Sequence, residues 1–300
     1  MKHDAILIAG PTASGKTGLA IELAKRHNGA IINTDSMQVY DILSVLTARP
    51  QPEEMQGIPH LLFGHVHPSE LYSTAKWIKD VQNALAKIRD MGKVPIFAGG
   101  TGLYFKALLE GLSPIPDIDI EVRNKWRSIA ETAKEGVLHE KLKSLDAAGS
   151  KKIKVGDTQR LVRAIEVIDG TGKPLNYWQA QQNKTPLLSG NNCQKIVLLP
   201  SRELLRERAE LRFQQMVEQG ALEEVRVLMA LNLSNDLPAM RAIGVKFIGQ
   251  YLEKQISLDK ASELSINATR QYSKRQGTWF RNQFDDNWNA ISCIVDLPQP

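Results

Sequence analysis

The chain opens on a short, uninterrupted apolar run, Ala5-Ile6-Leu7-Ile8-Ala9, which predicts a buried strand. Beyond Gly18 the spacing changes. Leu19, Ala20, Ile21, Leu23 and Ala24 recur as they do along one face of a helix. Gly29-Ala30-Ile31-Ile32-Asn33 predicts a second strand. Tyr72 to Met91 predicts a helix entered through Ser69 or Ser73 as N-cap. Val94-Pro95-Ile96-Phe97-Ala98 predicts another buried strand, ending at Gly99-Gly100-Thr101-Gly102. Strands alternating with helices imply a parallel sheet covered by helices on both faces, the α/β class.

The pattern breaks at Pro114-Ile115-Pro116-Asp117, a stiff, turn-like stretch. Residues 119–182 are polar, basic and helical in spacing, with no strong strand signal. Asn183 to Asn192, with Pro186 and Gly190, reads as a loop. Lys195-Ile196-Val197-Leu198-Leu199-Pro200 then reads as a strand returning to the sheet. From Arg202 onward the chain is helical in pattern, with breaks at Pro238 and Gly244. The expected organisation is an α/β core, 1–113 and 194–300, carrying a helical insertion, 114–193.

Composition narrows the setting. No apolar run approaches the length of a membrane span. Met1-Lys2-His3-Asp4 leads straight into the first strand, which leaves no room for a signal peptide. The two cysteines, Cys193 and Cys293, form neither a disulfide framework nor metal-ligand spacing. A cytoplasmic location is expected. The net charge of +5 permits a polyanionic partner, and the insertion carries the largest, though modest, share of the positive excess.

The chemistry concentrates after the predicted strands. Gly10-Pro11-Thr12-Ala13-Ser14-Gly15-Lys16-Thr17 fits G-x-x-x-x-G-K-S/T, the phosphate-cradling P-loop. A strand, a glycine-bounded turn and a helix N-terminus aim backbone N–H groups and the positive end of the helix dipole at one anion. Lys16 adds a full charge, and the Thr17 hydroxyl is placed to hold Mg²⁺. Asp35, in Thr34-Asp35-Ser36-Met37-Gln38, falls at the ligand-binding edge of the sheet. It fits a water-mediated Mg²⁺ ligand, a general base or a turn-capping aspartate equally. Gly99-Gly100-Thr101-Gly102 permits close backbone approach to a ligand, or simply a flexible turn. Gln159 and Arg163 share a helix face, which suits phosphate contacts or plain solvation. Arg270, Lys274 and Arg281 form a helical basic stripe near Tyr272 and Trp279. That stripe suits a nucleic-acid backbone, while the aromatics equally suit the core. Arg202 suits a clamp on a departing phosphate group or an ion pair with a glutamate. His60, His65 and His67 have no metal-binding spacing.

Taken together, these segments closely resemble the bacterial tRNA dimethylallyltransferases, the IPP transferase family. The resemblance rests on the P-loop, Asp35-Ser36-Met37-Gln38-Val39-Tyr40, Thr47-Ala48-Arg49-Pro50 and Gly99-Gly100-Thr101-Gly102-Leu103-Tyr104. It continues through Gln159 to Val167, Arg241-Ala242-Ile243-Gly244 and Ala268 to Gln276, in family order along nearly the whole chain. It implies a P-loop NTPase-like sheet and a transfer reaction. A dimethylallyl group would pass from dimethylallyl diphosphate, held with Mg²⁺, to the exocyclic amine of the adenosine 3′ to the anticodon. The base would be flipped out into a channel. Asp35 would accept the amine proton. Thr12 to Thr17, with Lys16 and Arg202, would stabilise the departing pyrophosphate. The anticodon stem-loop would meet Asp35, Ser36, Met37, Gln38, Thr101, Arg123 and Gln159, Arg160, Leu161, Val162 and Arg163, and a monomer would suffice.

The chain departs from the family pattern at Asp41 to Leu46, where many members have glycine, and at His60-Leu61-Leu62, where many have paired histidines. It also lacks the C-terminal zinc finger of eukaryotic relatives. The rival readings are a P-loop small-molecule kinase using Mg-ATP and a non-catalytic RNA-binding NTPase switch.

Overall fold

The computed structural model describes residues 3–181 and 185–293. Its centre is a parallel sheet of β1 (Ala5–Ala9), β2 (Gly29–Asn33), β3 (His60–Leu61), β4 (Val94–Gly99), β5 (Cys193–Leu198) and β6 (Asn289–Ile291). The order across the sheet is β3-β2-β4-β1-β5-β6. Every neighbouring pair is parallel. With the P-loop after β1 and helices on both faces, this is the P-loop NTPase-like arrangement.

β1 lies between β4 and β5, so all five of its residues are buried. Alternation sends them to two faces. Leu7 packs with Ile32, Phe97 and Val197 under Trp77, Val81, Phe105 and Phe280. Ile6 and Ile8 pack with Ile31, Ile96 and Ile196 under Leu19 and Leu23 of the helix Lys16–His27. Each such side chain contributes roughly 1.5–3 kcal/mol by leaving water, which is why these strands are continuous apolar runs.

The helix Thr74–Asp90 begins at Ser73, not Ser69: the Ser73 hydroxyl accepts the Lys76 N–H. β5 begins at Cys193, before the predicted Lys195. Of the loop predicted over 183–192, Asn183 and Lys184 lie outside the described residues, and Gly190–Asn192 is a 3₁₀ turn. β3 and β6, with two and three residues, are too short to show a period. β6 interrupts the stretch read as helical throughout.

The chain divides into two compact units, Met1–Leu109 with Leu187–Pro300, and Glu110–Pro186. Both boundaries precede the positions expected from sequence. The Leu108 carbonyl accepts the N–H groups of Leu187 and Leu188, and Leu188 is buried in the sheet core, so these residues belong to the larger unit. The smaller unit is helical. Its core joins Trp126, Leu138, Leu142, Leu161, Val162 and Ile165. The Trp126 indole donates to Asp169, whose pKa is lowered by the hydrogen bonds from Lys125 and Trp126.

In the larger unit, Gly99 ends β4 against the turn after β2, and a methyl group there would overlap the Thr34 carbonyl and crowd the Asp35 amide. Gly99→Ala should therefore cost roughly 1–3 kcal/mol by overpacking against backbone that cannot swing aside. A lowered urea midpoint would show it; an unchanged one would mean the turn yields freely.

Candidate active site

Three loops meet at the C-terminal edge of the sheet. The first follows β1. Ala13 and Gly15 adopt left-handed backbone, φ 64° and 99°, and the Ser14 N–H closes a turn on the Pro11 carbonyl. The turn delivers the chain into the helix Lys16–His27, whose first-turn amides have no intrahelical acceptor and face outward as anion donors. Lys16 Nζ folds back to the Pro11 carbonyl at 2.7 Å. From the helix Arg202–Glu218, Arg208 donates to the carbonyls of Ala13 and Ser14 at 3.4 and 3.1 Å. Those contacts tie down the carbonyl side of the loop.

The second loop follows β2. Buried Asn33 clasps Asp35: its amide nitrogen donates to the Asp35 carbonyl, and its amide oxygen accepts the Asp35 N–H. The Asp35 carboxylate accepts the Met37 N–H at 2.9 Å. Behind this turn, the Trp77 indole donates to the Asn33 carbonyl, and its ring stacks on Tyr104 at 4.1 Å. The third loop follows β4. The Thr101 hydroxyl accepts the Ser36 N–H at 3.0 Å, so the second and third loops are joined beside Asp35.

Further along, the Gln38 amide donates to the carbonyls of Thr47 and Ala48. The unusual 41–46 stretch takes its shape from Glu224. One carboxylate oxygen accepts the N–H groups of Ser44 and Val45, and the other that of Leu46, at 2.6–2.7 Å.

These loops enclose a pocket of about 350 Å³, the size of a small-molecule site. Its polar wall is Thr12, Lys16, Thr17, Asp35, Arg208 and Arg212, and its apolar wall includes Ala20, Ile31, Phe63 and Leu211. Burial pulls the Lys16 ammonium down to about 8; Asp35 opposes that fall and Arg212 adds to it. Burial likewise lowers Arg212, against the attraction of Glu54 and Asp35. Tyr104 and Tyr272 are pushed up by burial first and by the Asp35 charge second, which keeps both phenols protonated. His60, also in the wall, holds the Ile58 carbonyl through Nδ1, and burial lowers its pKa.

The structure thus brings together Thr12, Ala13, Gly15, Lys16, Thr17, Asp35 and Gln38, with Ser36 and Thr101 alongside, while Gly10, Pro11 and Ser14 build the turn. Arg202 does not join them. It is exposed at the first position of its helix, and the face that lines the pocket carries Arg208, Leu211, Arg212 and Gln215. Arg208 and Arg212 are four apart, a spacing that puts two cations on one face. Asn33, an amide closing an apolar strand, and Glu224 were also missed.

In the smaller unit, Gln159 and Arg160 are exposed. Arg163 is bound with Arg127 to the buried Glu166. Leu161 and Val162 belong to the helical core, so neither side chain offers a surface to RNA. Arg123 is half-buried. Along the helix Leu258–Gln283, Lys274 and Arg281 are exposed and Arg270 pairs with Glu210 at 2.8 Å. Trp279 packs edge-on to Phe280 and Phe284, which decides for the core reading of that ring.

A family model described as IPP transferase matches residues 38–283, and one described as isopentenyl transferase matches residues 3–67. The tRNA dimethylallyltransferase of Chelativorans sp. (strain BNC1) is 50% identical over 292 residues, covering 97% of this chain and 99% of that protein. That of Sinorhizobium medicae (strain WSM419) is 47% identical, covering 98% and 96%. Among solved structures, the tRNA isopentenylpyrophosphate transferase of Bacillus halodurans gives a TM-score of 0.68 at 33% identity, covering 97% of this chain and 90% of that one. A eukaryotic dimethylallyltransferase acting on tRNA gives 0.75 at 31% identity, covering 92% and 69%.

A lysine poised at about 8 makes anion binding pH-sensitive. Below that pH the ammonium is already charged; above it, each pH unit adds the work of protonating the amine. Pyrophosphate affinity, measured by calorimetry and taken relative to Lys16→Met, should fall about tenfold per pH unit above 8. A constant ratio from pH 7 to 9.5 would contradict a titrating Lys16.

Proposed function

The chain belongs to the IPP transferase family, and we propose that its pocket holds dimethylallyl diphosphate and passes the prenyl group to an adenosine amine of tRNA. The observation that carries this is the meeting of a P-loop and one carboxylate, Asp35, in a single pocket that also has an apolar wall. A diphosphate fits the N–H groups and cations of this lining, and a five-carbon chain fits its apolar residues.

In the transfer, the exocyclic nitrogen of the base forms a bond to C1 of the prenyl group. The C1–O bond breaks and its electron pair leaves on pyrophosphate. The amine proton passes to the Asp35 carboxylate. Negative charge grows on the leaving oxygen in the pocket that Lys16, Arg208 and Arg212 line, and the first-turn amides of the helix are fixed donors toward it. Fixed donors of this kind need no reorganisation as the charge appears. Buried Tyr104 and half-buried Tyr272 both stay protonated near the carboxylate and add no competing anion.

Mg²⁺ fits the donor set. Thr17 and Asp35 line the same pocket and offer hard oxygens. Thr17 would hold the ion against the diphosphate, where it would neutralise charge on the leaving group. The RNA partner is read as the anticodon stem-loop. Exposed Gln159, Arg160, Lys274 and Arg281 suit backbone phosphates. Among the described residues no helix is long and apolar enough to cross a membrane. A single copy of the chain suffices for this chemistry.

The direct test is incubation with unmodified tRNA, Mg²⁺ and dimethylallyl diphosphate, with nucleoside mass spectrometry as the readout. Prenylated adenosine supports the proposal; its absence, with ATP-dependent phosphorylation of a small acceptor instead, would replace it with a kinase. Asp35→Ala should lower kcat by about a hundredfold or more, the scale of general-base catalysis, with tRNA affinity changed far less. Equal losses in both would reduce Asp35 to an RNA-positioning role. Affinity for tRNA should also fall steeply between low and physiological salt. A flat response in a filter-binding titration would remove the phosphate contacts from the account.

A further inference from the structure

The helix Leu258–Gln283 places one uncharged side chain where two loops of the site meet. Gln276 is 6% exposed. Its amide oxygen accepts the Thr12 N–H of the P-loop at 2.8 Å. Its amide nitrogen donates to the Gly100 carbonyl, also at 2.8 Å. The helix cannot rotate away, because Phe280, one turn further on, is buried in the sheet core.

The Gly100 carbonyl and the Thr101 N–H belong to one peptide unit. Gln276 holds its oxygen, and the Thr34 carbonyl accepts its N–H at 3.1 Å. That peptide plane is therefore clamped between the helix and the residue before Asp35. The Thr101 hydroxyl then takes the Ser36 N–H. A continuous hydrogen-bonded path runs from Thr12 through Gln276 and Gly100–Thr101 to the backbone on either side of Asp35. A primary amide suits the junction because it accepts and donates at once in fixed geometry. A carboxylate would face the Gly100 carbonyl oxygen with no proton to share. The bond also takes up the Thr12 N–H, so that amide belongs to the scaffold and the anion falls to those further along the loop.

We propose that Gln276 is a positioning residue for the transfer: it fixes the diphosphate cradle and the Asp35 turn at one separation, so that the leaving group and the base act on the same prenyl carbon and amine. This rests on the reading of the pocket given above. Its loss lowers kcat more than it raises KM for either substrate, because each half of the site still forms.

Gln276→Glu and Gln276→Met test it, with kcat measured at saturating donor and tRNA from pH 5.5 to 8.5. A protonated glutamic acid restores both bonds, with its carbonyl to Thr12 and its hydroxyl to Gly100. The ratio of Gln276→Glu to wild-type kcat should rise about tenfold or more as the pH falls. The Gln276→Met ratio should be low and independent of pH. Gly100→Ala reaches the same junction from the other side, since its methyl group would overlap the Gln276 amide nitrogen. Its loss combined with Gln276→Met should be less than the product of the two single losses. A pH-independent Gln276→Glu ratio, a Gln276→Met protein with wild-type kcat, or fully multiplicative losses would each overturn the proposal. Wild-type protein with no prenyl transfer would instead overturn the reading of the pocket.

Discussion

Parallel pairing at the centre of the sheet is the constraint on which the site depends. β1 pairs with β4 through Ala9 and Gly99, and β2 pairs with β4 through Asn33 and Ala98. The three strands therefore end level with one another, and their loops emerge side by side. In an antiparallel arrangement, neighbouring strands would send successive loops to opposite edges. Level ends alone do not make a pocket, because loops are free to splay. Here Gly99 lets the turn after β2 lie directly on β4, and Trp77 braces that turn from beneath through the Asn33 carbonyl.

The electrostatics follow from the closeness that this packing enforces. Lys16 and Arg212 are both desolvated, and Arg212 further disfavours the charge on Lys16; Asp35 is the counter-charge that reaches both. Asp35 is the carboxylate of the pocket lining, against Lys16, Arg208 and Arg212, and Glu54 reaches Arg212 from outside that lining. That excess of cations suits an anion, the part a diphosphate would play in the proposed transfer. Glu224 is spent elsewhere, on three backbone amides of the 44–46 stretch, and contributes structure to the pocket wall.

How much of this was legible in the sequence depended on the range over which each signal acts. β1 and β2 were readable because five buried residues in a row leave an apolar run bounded by turns. The P-loop was readable because its function fixes residue types at fixed spacing. Arg202 was misplaced because its helix buries only Ala209 and Phe213, too few apolar positions to show which face turns inward. The same helix supplied Arg208 and Arg212 instead. Leu161 and Val162 sat inside a basic motif and were read with it, although two adjacent apolar residues on a polar helix mark its buried side. β3 and β6 left no period to read, and only pairing with β2 and β5 makes them strands.

The residues that fix the loops share one property that local patterns cannot carry: they lie far away in the chain. Gln276 stands 264 residues from Thr12 and 176 from Gly100, and Glu224 stands 180 from Ser44. The first hundred residues supply the P-loop and Asp35 to the pocket, and the last hundred supply Arg208 and Arg212 to its lining and Gln276 and Glu224 to the loops around it. Closing such long loops costs entropy that grows only slowly with length, so the span itself is tolerable. What it demands is a rigid strut at the far end, and the 26-residue helix Leu258–Gln283 provides it, pinned near its C-terminal end by Phe280 and reaching the loops through the Gln276 amide one turn before it. A motif such as G-x-x-x-x-G-K-T therefore declares what is bound, while its catalytic geometry is set by side chains whose importance shows only after the chain has folded back on itself.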